Sequence, residues 1–175
     1  MAKSEVDQSS FFNQLKGYGI SRILKSPDFV VSLITFIVLL QDYLSKSGNF
    51  AMLDNDAATG IITITATIFA IIIAAVAIIL SFSGTKFAEF LRGNKKLHKI
   101  LFNFWLCSVT HLTVIVVAFT RFLVEFEHPY WMSSIYSAFV ISGFVYAILQ
   151  TFYSVSSIMR FAHFLEFYES VHKNE

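Results

Sequence analysis

Between Gly60 and Ser83 the chain runs for 24 residues without one charged side chain. At a rise of about 1.5 Å per residue this makes about 36 Å of helix, enough to cross a hydrocarbon layer of about 30 Å. Lipid offers backbone N–H and C=O groups no partner, so a lone segment that crosses it must satisfy them internally as an α-helix.

Three further apolar runs accompany this one, and the sequence predicts spans at about 28–44, 60–83, 100–124 and 131–159. The composition agrees: 55% of the 175 residues are hydrophobic and 14% charged, against about 45–50% and about 25% in soluble domains. The expected fold is therefore all-α, an integral membrane four-helix bundle covering residues 26–159. Too little chain remains for a second folded domain.

The flanking segments read differently. Residues 1–25 are expected to be a polar cytoplasmic tail with an amphipathic helix on the membrane surface, since Phe11, Leu15 and Tyr18 recur at helical spacing opposite Asn13, Gln14 and Lys16. Ser26-Pro27-Asp28 carries the cap, first-turn proline and acidic residue of a helix start. Residues 45–59 read as an outer loop of turn residues. Phe161, Phe164, Leu165 and Tyr168 continue the pattern of the fourth span, predicting a cytoplasmic helical extension over 160–175.

Basic residues set the orientation. Lys3, Lys16, Arg22 and Lys25 precede the first span, Lys86, Arg92, Lys95, Lys96 and Lys99 lie between the second and third, and Arg160 and Lys173 follow the fourth. The opposite side holds only Lys46 and Arg121, which places both termini in the cytoplasm.

The most informative pattern lies on the second span. Gly60, Thr63, Thr67, Ala70, Ala74, Ala77, Ser81 and Gly84 alternate in spacings of three and four, and all eight are small. A 3.5-residue repeat of small side chains lets one helix approach another closely. The partner is either a helix of the same bundle or the same helix of another copy, in which case the face forms an oligomer seam or lines a pore. The period is the same in both cases.

Polar groups inside the spans are the remaining leads. His111 lies mid-way along the third span with Asn103, and Gln150 lies deep in the fourth. An ionisable group in the membrane is costly and so a functional candidate, while a neutral imidazole bonding between helices is the simpler account. No carboxylate stands at the depth of His111 in the sequence, so neither a proton relay nor a Ser-His-Asp set is expected. The single Cys107 rules out a disulfide within the chain, and the sequence indicates no metal and no cofactor.

Arg92 with His98 and Arg121 with His128 match the R-x(4–6)-H spacing of HEPN ribonucleases. The pattern is permissive, and Arg121 stands at the outer end of a span beyond the reach of RNA. Nucleic acid is not expected as a partner. The basic residues Arg92, Lys95 and Lys96 are instead expected to dock a cytoplasmic protein.

The small-residue second span ending in SFSGTKFAEFLRG, followed by a basic loop and two aromatic-rich spans, resembles the membrane subunits of Kiwa-type antiphage systems, the KwaA-like proteins. The resemblance covers the layout of residues 25–165 and transfers no functional residue. It implies a homo-oligomer in the bacterial inner membrane that senses phage-induced membrane disturbance and works with a cytoplasmic partner protein. Three readings follow: a non-enzymatic oligomeric sensor or signalling scaffold; an ion channel or pore around the second span; and an intramembrane enzyme around His111.

Overall fold

In the computed structural model, residues 24–45, 52–81, 96–123 and 130–172 are described. They form four helices: α1 Pro27–Ser45, α2 Asn55–Ser81, α3 Lys96–Leu123 and α4 Tyr130–His172. Each is long and apolar enough to cross a membrane. The amphipathic segment expected before residue 24 lies outside the described residues.

Local chemistry sets the helix starts. The Phe29 N–H donates to Ser26 Oγ at 3.3 Å and the Val30 N–H to the Ser26 carbonyl at 3.2 Å, so Ser26 caps α1 with Pro27 in its first turn. Asp54 caps α2 in the same way: its Oδ1 accepts from the Ala57 N–H at 2.7 Å and its carbonyl from the Ala58 N–H at 3.0 Å. This cap starts α2 at Asn55 rather than Gly60, so residues 55–59 are helix and not loop. Gly60 sits inside the helix with open space around it.

The helices pack as a row, in the order α1, α4, α3, α2, with α2 touching α4 lightly. Among the described residues α1 packs on α4 and makes no comparable contact with α2 or α3, so the expected bundle is open and not a closed square. Leu39, Tyr43 and Ala138 join α1 to α4. Two clusters join α2, α3 and α4: Leu53, Ala58, Ala118 and Val140 at one end, and Ile72, Ile79, Phe104, Cys107 and Phe161 at the other. The fully buried Ala58, Ala118, Ala138 and Ala147 are the close approaches such packing requires.

Much apolar surface faces outward. Ile34, Ile71, Ile78, Val116, Leu123, Phe152 and Met159 are each more than half exposed, an arrangement suited to lipid and costly in water. The 43 residues of α4 make about 65 Å of helix, roughly twice the hydrocarbon thickness, so one end projects beyond a bilayer. The 19 residues of α1 make only about 28 Å.

Candidate functional site

The small-residue face of α2 points away from the other described helices. The buried positions of α2 are Ala58, Thr65, Ile72 and Ile79, one every seven residues. The small positions fall two and five residues after each of these. At about 100° per residue these offsets are about 200° and about 140°, on either side of the direction opposite the buried stripe. Gly60, Thr63, Thr67, Ala70, Ala74, Ala77 and Ser81 are accordingly all exposed. Gly84 lies outside the described residues.

The seam hydroxyls are already engaged as donors. Thr63 Oγ1 donates to the Thr59 carbonyl at 2.9 Å, Thr67 Oγ1 to the Thr63 carbonyl at 2.8 Å and Ser81 Oγ to the Ile78 carbonyl at 2.6 Å. The face therefore offers oxygen lone pairs and no free O–H, and a second apolar helix can lie on it without stranding a donor.

Polar groups between α3 and α4 form a second feature. Asn103 Nδ2 donates to Ser157 Oγ at 3.1 Å. One helical turn further, the fully buried Cys107 lies beside Thr151 and Ser154. Another turn on, His111, also fully buried, has Nε2 3.0 Å from Thr151 Oγ1. Thr151 spends its own proton on the Ala147 carbonyl at 3.0 Å, so it accepts from His111 Nε2–H. The Nε2 proton is thus directed at Thr151, while Nδ1 is buried without a partner among the described residues.

Gln150 does not stand alone in the fourth span. Its Nε2 donates to Asp28 Oδ2 at 3.4 Å and to the Tyr146 hydroxyl at 3.1 Å. Because Gln150 adjoins Thr151, Asp28 stands level with His111 across one turn of α4. A buried carboxylate is therefore present at the depth where the sequence indicated none. Sequence reasoning missed Asp28 because a helix-start acid ordinarily sits at the surface. The available signal was the shortness of α1, whose first turn meets its neighbours part-way along their length.

Asp28 and His111 bond to different residues. Each bonds to α4 from its own side, through Gln150 and Thr151 respectively. Among the described residues no three His, Cys, Asp or Glu side chains come together in a way that could hold a metal ion. Of the basic residues expected to dock a partner, Lys96 opens α3, while Arg92 and Lys95 lie outside the described residues.

The chain matches no known family model, and no characterised protein and no solved structure is significantly similar to it.

Proposed function

We propose that this protein is a non-enzymatic membrane sensor or signalling scaffold that assembles with further copies of itself through α2. The observation that carries the reading is the exposure of seven small positions in 3.5-residue register, turned opposite the face α2 uses within its own chain. Of the two partners open to that face, a helix of the same chain is disfavoured, since none among the described residues covers it. Helix association in lipid depends on close backbone approach, which this face permits.

The remainder of the proposal follows the charge distribution and the Kiwa-like layout. Both termini lie in the cytoplasm of a bacterial inner membrane, and a cytoplasmic partner docks on Arg92, Lys95 and Lys96. Charge reversal at these three residues abolishes co-purification with that partner.

Cross-linking tests the assembly directly. Cys107 is fully buried, so Ala74→Cys or Ala77→Cys provides the reactive thiol in the folded protein. Oxidation yields covalent dimers if α2 meets α2 about a symmetry axis. Monomer at every seam position contradicts the reading.

A pore is the second reading, and the order of groups on the seam favours it. Thr63 and Thr67 stand toward one end, Ser81 at the other, and Ala70, Ala74 and Ala77 between them. Ringed by several copies, this would form an apolar constriction with hydroxyl mouths, able to gate by dewetting.

A further inference from the structure

Because α1 and α3 do not pack on each other, a groove of about 380 Å³ remains between them with α4 as its floor. Phe29 and Ser32 form one wall, Thr113 and Val114 the other, and Gly143 and Tyr146 lie beneath. Gly143 is what keeps the floor low. A Cβ at that position would meet Val114 Cγ2 at 3.5 Å, so a longer side chain would occupy the groove itself.

The serine and threonine hydroxyls of the lining are all engaged as donors within the chain. Ser32 Oγ donates to the Ser142 carbonyl at 2.8 Å, Thr113 Oγ1 to the Val109 carbonyl at 2.8 Å and Ser142 Oγ to the Phe139 carbonyl at 3.0 Å. Such a wall accepts hydrocarbon without stranding an O–H. One acyl chain suits this volume, whereas a helix about 10–12 Å across with its side chains needs more room.

Just beyond the residues that line the groove, the start of α1 is polar. Asp28 lies one helical turn before Ser32, and its carboxylate is buried with a single long bond from Gln150 among the described residues. A carboxylate so placed is served best by a cation. At about 28 Å, α1 nearly matches a hydrocarbon layer of about 30 Å, so its first turn stands close to the head groups of the leaflet at that end.

We infer that this groove holds one aminophospholipid per chain, its acyl tail between α1 and α3 and its ammonium against Asp28. The site rests on the chain spanning a bilayer and is independent of assembly through α2.

The test is native mass spectrometry of the full-length protein extracted from bilayers of equal phosphatidylethanolamine and phosphatidylglycerol. The wild type retains phosphatidylethanolamine in preference to phosphatidylglycerol, and Asp28→Asn lowers that preference about tenfold, as loss of one charge-assisted hydrogen bond does. Gly143→Leu, which fills the groove and leaves Asp28 in place, abolishes retention of either lipid. Equal retention of the two lipids by the wild type overturns the inference. So does a Gly143→Leu variant that keeps its lipid, or one that loses only an oligomer contact, which would make the occupant a second copy.

Discussion

Asp28 and Gln150, 122 positions apart in the chain, share a hydrogen bond of 3.4 Å that ties the first turn of α1 to the middle of α4. One further polar contact follows the same junction: Ser32 Oγ donates to the Ser142 carbonyl. Since α1 packs chiefly on α4, these contacts and the cluster around Tyr43 hold it in place.

A double-mutant cycle on Asp28→Asn and Gln150→Ala should therefore show coupling of about 0.5–2 kcal/mol, the range of polar contacts between membrane helices. Gln150→Ala should cost more than Asp28→Asn, because it leaves a buried carboxylate without its donor. Reversible unfolding in mixed micelles measures both.

His111 is fully buried and its ring fills the space beside Ala147 and Thr151. His111→Ala should destabilise the fold by about 2–4 kcal/mol through the cavity and the lost bond. Thr151→Val should cost about 1 kcal/mol, because it keeps the volume and strands one N–H. A His111→Ala variant of wild-type stability would mean that the α3–α4 interface relies on other contacts.

Asp54 supplies both a side-chain and a backbone acceptor to the first turn of α2. Asp54→Ala should lower stability by about 1 kcal/mol, and Asp54→Asn by less. Hydrogen exchange at Ala57 and Ala58 reads the fraying directly, and unchanged protection there would contradict the cap.

Alanines on the two sides of α2 and its neighbours should respond in opposite ways. Ala118 is fully buried among Leu53, Ala58 and Val140, so Ala118→Leu should cost about 1–3 kcal/mol by overpacking. Ala74 is exposed, so Ala74→Leu should leave the fold of the single chain within about 0.5 kcal/mol of wild type. Unfolding of each variant in detergent measures the contrast.

The four helices were legible in the sequence because uncharged runs of this length have few other solutions. The start of α2 was not, since Asp54 lies among residues that resemble a loop and acts only through its bonds to Ala57 and Ala58. The depth of Asp28 was hidden for a related reason: Ser26-Pro27-Asp28 signals where a helix begins along the chain and not at what height it joins its neighbours. The seam on α2 was visible as a pattern, but its direction was not. The opposing stripe of Ala58, Thr65, Ile72 and Ile79 mixes small, polar and large side chains, so composition alone does not mark it as the face that packs inward.

The central claim is that the small-residue face of α2 joins copies of this chain, and native mass spectrometry in mild detergent of the wild type beside Ala70→Leu and Ala74→Leu tests it most directly. The account predicts a discrete oligomer for the wild type and monomers of unchanged helicity for the two variants. A monomeric wild type, or variants that keep the wild-type oligomer, would contradict it.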